Sequence, residues 1–159
     1  MSRSLGRFLP PSLVALLAGD DLHDKADRVF LLLTLDADGY PRPAMISVGE
    51  VLARGPRELR LALYSSSSTT ANLRRAGKLT LALADSGVGY YVKASARELA
   101  VMDPDLAGLA AFDATVEEVL EDGEPIAEVT SGFTMRLTGD PTRTLRTWEA
   151  TVRALRGMP

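Results

Sequence analysis

The sequence predicts a mainly β protein, a small antiparallel barrel with three or four helices on its outside. About six segments show the apolar content or the alternation of strands, and short turns rich in Gly, Asp and Pro separate them. The helical segments do not alternate regularly with the strands, which argues against a doubly wound parallel sheet. The length of 159 residues fits one globular domain with a substantial core, and we expect residues 1–159 to form that single domain.

The composition excludes several classes of protein. With 18 basic and 21 acidic residues, the net charge of −3 gives no basic surface for nucleic acid. No apolar run approaches the roughly 20 residues that cross a bilayer, and the first residues do not form a signal peptide, so we expect a cytoplasmic protein without a membrane partner. The absence of cysteine excludes disulfides and thiolate sites. The one histidine, His23, lies in an acidic loop, so we expect no metal site.

The first third of the chain predicts a helix followed by a hairpin. Ser12 precedes an apolar run and is the expected N-cap of an opening helix. Residues 29–35 form a continuous apolar run before an Asp-Ala-Asp-Gly turn, which is typical of a buried strand. Residues 40–48 are the partner strand, and Pro41 and Pro43 favour an edge position for it. Gly49, Gly55 and Pro56 then interrupt the pattern, with only the short segment of residues 50–53 between them.

The central stretch, residues 58–83, joins two strands through a turn and a helix. Residues 59–64 alternate as a half-buried strand does, and residues 78–84 form the second strand. Between them, residues 65–70 are six consecutive Ser or Thr residues, and residues 71–75 predict a short helix that ends at Gly77. A helix that begins after such a turn presents unpaired N–H groups and the positive end of its dipole, as phosphate sites do. The same turn could serve only as a helix cap, and the residue pattern alone favours neither role.

The last third predicts a strand, a helix, a strand and a helix. Residues 90–102 form the first strand. Asp103-Pro104 is a helix start, and apolar residues at spacings of three and four predict that the helix continues to residue 121. Residues 128–137 alternate as a strand, and Asp140-Pro141 begins a final amphipathic helix that ends near Gly157. Trp148 shares the apolar face of that helix, so we expect it in the core rather than stacked on a ligand.

Three segments together resemble the pyridoxamine 5′-phosphate oxidase-like, FMN-binding split barrels. VFLLLTLDADGYPRPAMIS is similar to the opening hairpin of that family, ELRLALYSSSSTTANLRRAGKLTLAL to its phosphate-loop segment, and VKASARELAV to the strand that follows. The resemblance covers roughly residues 13–102. It implies a six-stranded antiparallel split β-barrel of Greek-key type, with FMN bound at the interface of a homodimer.

The resemblance also implies which residues approach the cofactor. In the family, an arginine and, five residues later, a lysine approach the flavin. Here the segment RPAMIS keeps the arginine as Arg42 and has Ser47 in place of the lysine. Ser67 matches the serine of the phosphate loop, whereas Thr69 stands where a basic residue is common. The full set of cofactor-binding residues implied in this way is Arg42, Ala44, Met45, Ile46, Ser47, Tyr64, Ser65, Ser67, Thr69, Thr70 and Asn72.

The function implied by the resemblance is that of an FMN-dependent oxidoreductase acting on a small molecule. In a flavoenzyme the cofactor carries the redox chemistry, so no catalytic side chain need be visible, and none is assigned here. No arrangement of a nucleophile, a histidine and an acid is present, and Asp85 and Glu98 are isolated carboxylates. Two alternatives remain: a deazaflavin (F420) reductase on the same barrel, and a binding module without a cofactor, which the replacement of two basic residues favours.

Overall fold

Eight antiparallel strands and three helices make up the computed structural model, which describes residues 1–159. The strands are β1 Ser2–Gly6, β2 Phe30–Leu35, β3 Pro41–Ile46, β4 Val51–Gly55, β5 Glu58–Tyr64, β6 Lys78–Asp85, β7 Val88–Leu99 and β8 Leu109–Asp122. The helices are α1 Pro11–Leu16, α2 Ser68–Ala76 and α3 Pro141–Gly157, and two 3-10 turns span Leu22–Lys25 and Pro104–Leu106. None of the helices is both long and apolar enough to span a bilayer.

The strands form one sheet in the order β3, β2, β6, β7, β8, β5, β4, with β1 paired to β8 outside this path. No ladder joins the two end strands, β3 and β4, so the barrel is split between them. The inward-facing side chains belong to a single cluster of 32 buried apolar residues. The predicted class, a mainly β antiparallel split barrel with flanking helices, is therefore confirmed, with eight strands in place of the six expected.

Burial along the strands shows which faces are covered. In β2, Phe30, Leu32 and Thr34 are buried, whereas Leu31 and Leu33 are only partly buried on the opposite face. In β5 every residue from 59 to 63 is buried, because one face lies in the barrel and helix α3 packs on the other. Helix α3 is therefore part of the body of the protein, and it also brings residues to the end of the barrel near β3.

The local signals of the central stretch are confirmed. Ser67 is the N-cap of α2, since its side chain accepts a hydrogen bond from the N–H of Thr70. Gly77 ends the helix with φ of 62°, a left-handed conformation that costs glycine little. Strand β3 lies at an edge of the sheet, as Pro41 and Pro43 predicted, because proline has no N–H to donate to a second neighbouring strand. Asp140 caps α3, which ends at Gly157 as expected.

The helix expected over residues 103–121 is wrong. Only the short turn Pro104–Leu106 is helical, and residues 109–122 form β8, the longest strand, which pairs with β1, β5 and β7. The burial of Ala110, Phe112, Ala114 and Val116 has the period of a strand. Small alanines made this period weaker in the sequence than the helical spacing of the larger residues, and pairing on both sides of the strand overrides helix propensity.

Two smaller expectations are also wrong, and one strand was not predicted at all. Residues 128–137 contain no strand, only an isolated bridge between Arg28 and Thr134, because the segment runs along the sheet instead of joining it. The N-cap of α1 is Pro10, which has no side-chain hydrogen bond, and Ser12 lies inside the helix. Strand β1 was not predicted, since its mostly exposed residues SRSLG carry no apolar alternation.

Candidate functional site

A groove with a volume of about 670 Å³ lies at the split end of the barrel. The ends of β3 and β5 and the turn after β3 form one wall, and α3 forms the other with the segments at residues 105–109 and 133–137. Of its 18 lining residues, 11 are hydrophobic. Its size and its mostly apolar surface are those of a small-molecule site.

Four of the residues expected at the cofactor lie in this groove. They are Met45, Ile46, Ser47 and Tyr64. The side chains of Met45 and Tyr64 are largely exposed, at 72% and 71%. Because both side chains lie at the groove and are open to solvent, this wall is available to a flat ligand.

The turn after β3 places a carboxyl group that the sequence reasoning missed. Glu50 Oε2 accepts a hydrogen bond from the Ser47 N–H at 2.7 Å and from the Ser47 hydroxyl at 2.9 Å. Burial raises the pKa of Glu50, and the two hydrogen bonds from Ser47 partly oppose that rise. The spacing Ser-x-x-Glu, typical of a capping box, is the signal in the sequence from which this pair could have been predicted.

Trp148 closes the groove from the side of α3. Its indole packs so closely on the turn after β3 that a Cβ atom added at Gly49 would lie 2.5 Å from the Cβ atom of Trp148. The side chain is partly buried against the core, as its helical spacing predicted, and it also lines the groove. Trp148 therefore joins the position of α3 to the shape of the site.

The charges around the groove are all of one sign. Glu50 and Asp105 are acidic, and no Lys, Arg or His is among the lining residues. Asp105 is half exposed and lies 3.8 Å from Arg153, which is outside the groove. The lining of the groove is thus mostly apolar, and the side chains in it that can carry a full charge at neutral pH are the carboxyl groups of Glu50 and Asp105.

The hydroxyl-rich turn adjoins the groove at Tyr64. Within the turn, the Ser67 hydroxyl donates to Thr70 Oγ1 at 3.1 Å and accepts from the Thr70 N–H at 3.1 Å. The Thr70 hydroxyl in turn donates to the Tyr64 carbonyl at 2.9 Å. Ser67 and Thr70 therefore hold the turn and the start of α2 in shape, which is the role of a helix cap.

Other groups of the same turn are free. The backbone N–H groups of Ser66, Ser68 and Thr69 donate to no protein acceptor. They lie at the N-terminal end of α2, where the dipole of the helix favours an anion. The turn thus carries both a cap and an unused set of donors.

The remaining expected residues lie farther from the groove. Asn72 is buried, donates to Thr34 Oγ1 at 3.0 Å and accepts from Arg75 at 3.2 Å, so it fastens α2 to β2. Arg42 pairs with Thr34 across the β2–β3 ladder, which places it on the α2 side of the sheet. Its guanidinium is exposed and makes no hydrogen bond or ion pair. Ala44 lies on the same face of β3, and Ser65 donates its N–H to the Gly108 carbonyl at 3.0 Å.

Asp85 and Glu98 lie outside the groove, and each is paired with an arginine. Arg28 contacts Asp85 at 3.3 Å. Arg74 binds Glu98 with two nitrogens, at 2.6 and 2.8 Å, and these hydrogen bonds lower the pKa of Glu98. Arg74 is therefore already engaged by a carboxylate, although it lies one helical turn from the hydroxyl-rich turn.

The fold is the split β-barrel that is also found in pyridoxamine 5′-phosphate oxidase-like proteins. A candidate pyridoxamine 5′-phosphate oxidase from Lactobacillus delbrueckii superposes with a TM-score of 0.59 and 22% identity, over 74% of this chain and 98% of that one. An FMN-binding protein from Syntrophomonas wolfei superposes with a TM-score of 0.51 and 18% identity, over 69% of this chain and 88% of that one.

A closer relative is found by sequence. The uncharacterized protein YclD of Bacillus subtilis is 33% identical over 144 residues, which are 91% of this chain and 93% of YclD. No family model matches the chain. At this identity and coverage, the chain belongs to the same family as YclD.

Proposed function

We propose that the protein is an FMN-binding flavoprotein and an oxidoreductase that acts on a small molecule. The proposal rests on two adjoining features: an apolar groove walled by Met45 and Tyr64, and a turn in which three backbone N–H groups have no acceptor. A flat ring with a phosphate on a short chain matches these two features. The FMN-binding protein of Syntrophomonas wolfei, on the same fold, supports this choice of ligand.

The residues present fit FMN. The isoalloxazine ring would lie against Met45 and Ile46, and the phosphate would accept hydrogen bonds from the N–H groups of Ser66, Ser68 and Thr69. Arg42, on the α2 side of the sheet, has no carboxylate partner and would be free to pair with an oxygen of the ligand. FMN, when bound, supplies the transfer of hydride or electrons. The chain itself orients the ring and excludes water through the apolar walls of the groove.

The position of the expected lysine has a different role in this chain. Ser47 donates both its N–H and its hydroxyl to Glu50, so neither donor is free for a ligand. Thr69 likewise carries no charge. Because hydrogen bonds to a phosphate from neutral donors are weaker than those from cations, FMN would bind through geometry more than through ion pairing. This feature also favours the second candidate function, a binding module without a cofactor.

We further propose a homodimer. Leu31 and Leu33 of β2 pair with Met45 and Pro43 of β3, so all four share the face of the sheet that points away from the core. This face is apolar and lies along the edge strand β3, which has unpaired backbone groups. A two-fold contact between two such faces would cover it, and it would bring a second chain to the mouth of each groove.

The substitution Ser68→Pro tests FMN binding at the turn. Ser68 is the first residue of α2, where proline is favoured, and Ser67 has the extended conformation (ψ of 153°) that a residue before proline requires. The variant therefore removes one free N–H and leaves the helix intact. A hydrogen bond to a charged group is worth about 1.5–3 kcal/mol, so FMN affinity should fall roughly tenfold to a hundredfold.

Riboflavin is the matched control, because it has the ring of FMN and no phosphate. Its affinity should be the same for the parent and for Ser68→Pro, as measured by quenching of flavin fluorescence. Equal FMN affinity of the two proteins would contradict the phosphate role of the turn. If the parent takes up F420 but not FMN, the deazaflavin alternative holds, and if it takes up neither, the module without a cofactor holds.

A further inference from the structure

The charge of the groove limits what it can bind besides a flavin ring. Glu50 and Asp105 line it, and no basic side chain does. A phosphate or carboxylate of a substrate would meet two carboxyl groups and no cation, which is unfavourable in a groove of mostly apolar surface. The lining of this groove therefore disfavours anionic substrates, whereas the N–H groups of the turn at the start of α2 favour an anion.

The position of Glu50 suits a positively charged group. Ser47 binds Oε2 of the carboxylate from one side, and Oε1 has no protein donor. No side-chain oxygen of the protein is both fully buried and without a hydrogen-bond partner, so Oε1 is accessible to solvent, and Glu50 lines the groove. A carboxylate that is held by one oxygen and open at the other is a fixed acceptor for an N–H donor from a ligand.

Aromatic side chains complete this environment. Tyr64, Phe133 and Trp148 line the same groove, from β5, from the segment after β8 and from α3. Faces of aromatic rings attract cations, and they also pack against flat ligands. Three aromatic rings with two carboxyl groups form a surface that is complementary to an organic cation.

We propose that the groove binds a flat or aromatic molecule that carries a protonated amine and no phosphate, with the ammonium group at Glu50. This inference rests on the proposed function in one respect, since the amine would be the small molecule that meets the flavin. Its charge selectivity depends only on the lining residues. The titratable groups that line the groove with Glu50 are Asp105 and Tyr64, and Arg153 contacts Asp105 from outside.

The test uses four one-ring probes of similar size: benzylamine, benzyl alcohol, benzoate and phenyl phosphate. Each is titrated into the parent protein at pH 7.5, with calorimetry and with the emission of Trp148, the only tryptophan of the chain. Benzylamine should bind roughly tenfold or more tightly than benzoate, with benzyl alcohol between them and phenyl phosphate weakest. We expect half-saturation at about 1 mM ligand. Tighter binding of benzoate than of benzylamine would overturn the proposal. So would the absence of benzylamine binding at a concentration about 50 times that at which benzyl alcohol half-saturates the protein.

The substitution Glu50→Gln assigns the preference to one residue. It keeps the shape of the side chain and an acceptor for the Ser47 N–H, and it should lower benzylamine affinity about tenfold while leaving benzyl alcohol unchanged. Glu117→Gln is the control, because Glu117 is exposed on β8 and forms no ion pair. Unchanged benzylamine affinity in Glu50→Gln would overturn the role of Glu50. The comparison of the four probes in the parent needs no variant to fold.

Flavin binding is measured separately, by the absorbance of FMN in the same protein. If benzylamine binds with the predicted preference but FMN does not bind, the groove selects amines and the proposed oxidoreductase function fails. If FMN binds but the four probes show no charge preference, the proposed function stands and this inference fails.

Discussion

The N–H and the hydroxyl of Ser47 both donate to one oxygen of Glu50, at 2.7 and 2.9 Å. This pair closes the turn between β3 and β4, and it fixes the only carboxyl group that the turn presents to the groove. Because burial raises the pKa of Glu50 above its ordinary value of 4.5, the folded protein binds a proton there more readily than the unfolded chain does. Ionisation of Glu50 therefore costs stability.

The first prediction concerns the pH dependence that follows from Glu50. Ionisation of Glu50 lowers the free energy of unfolding. This loss is absent below the unfolded pKa of 4.5 and is fully present above the raised pKa of Glu50 in the folded protein. Glu50→Gln removes the ionisation, so the variant should gain stability relative to the parent as pH rises from about 4 to 7. Thermal unfolding of both proteins over this range measures the difference, and a difference that stays constant with pH would contradict the assignment.

The second prediction concerns the contact between Gly49 and Trp148. In Gly49→Ala the new Cβ would overlap the indole, so Trp148 must move out of its position. Overpacking of this kind costs about 1–3 kcal/mol, and the emission of Trp148 should shift to longer wavelength as the ring meets more water. Gly55→Ala is the control, because a Cβ at Gly55 meets no atom within 4 Å. Equal denaturation midpoints and emission maxima for both variants would disprove the contact.

The third prediction concerns Arg60, which is fully buried under α3. Its guanidinium binds Asp113 at 2.7 Å and donates to the carbonyl groups of Leu155 and Met158 at 2.7 and 2.8 Å. Arg60→Ala leaves Oδ1 of Asp113 and these carbonyls without their donor inside the protein, and it should cost about 3–5 kcal/mol in urea unfolding. Arg97 binds the other oxygen of Asp113 from an exposed position, so Arg97→Ala should cost at most about 1 kcal/mol. Similar losses for the two variants would show that burial does not set the cost.

The fourth prediction concerns Arg42. Because its guanidinium has no protein partner, Arg42→Ala should leave the unfolding midpoint unchanged. If Arg42 reaches the phosphate or an oxygen of the flavin, the variant should bind FMN about tenfold or more weakly. Arg57→Ala, which removes another exposed arginine, is the control and should bind FMN as the parent does. Fluorescence titration measures all three proteins, and equal affinities would remove Arg42 from the site.

The fifth prediction concerns the oligomeric state. A charge at Leu33, on the face of β2 and β3 that points away from the core, should prevent two such faces from meeting. Light scattering at micromolar concentration should show a dimer for the parent and a monomer for Leu33→Asp. Ile126→Asp is the control, since Ile126 is 96% exposed in the turn after β8 and belongs to neither β2 nor β3. A parent that is already monomeric would overturn the homodimer.

The sequence predicted those parts of the protein that depend on neighbouring residues. The cap at Ser67 and the left-handed Gly77 are set by local hydrogen bonds and by backbone sterics, so they were visible in the residues themselves. Strand β8 was mistaken for a helix because its strand conformation depends on pairing with β5 and β7. The paired residues are 12 to 57 positions apart in the sequence, from Leu99 with Ala111 to Glu58 with Thr115. Pairing with distant strands therefore decides the conformation of β8, and a local sequence pattern does not show such pairing.

The candidate site shows the same limit. Met45, Ile46, Ser47 and Tyr64 came from the resemblance of two segments, and the groove does contain them. The opposite wall could not be foreseen, because Trp148 meets the turn after β3 only when α3 lies on the barrel. Trp148 was expected in the core alone, since its helical spacing cannot show which part of an apolar face stays open.

Strand β8 also determines when the protein can fold during synthesis. It is the shared partner of β1, β5 and β7, and β1 at the start of the chain pairs with residues 119–122 of β8. A ribosome must therefore release residue 122 before these three strands gain their partner, and until then their edges stay open to other chains. Such non-local pairing is typical of proteins that fold in milliseconds to seconds, a slow range for a chain of this size. Nascent chains that stop before β8 should consequently depend on chaperones.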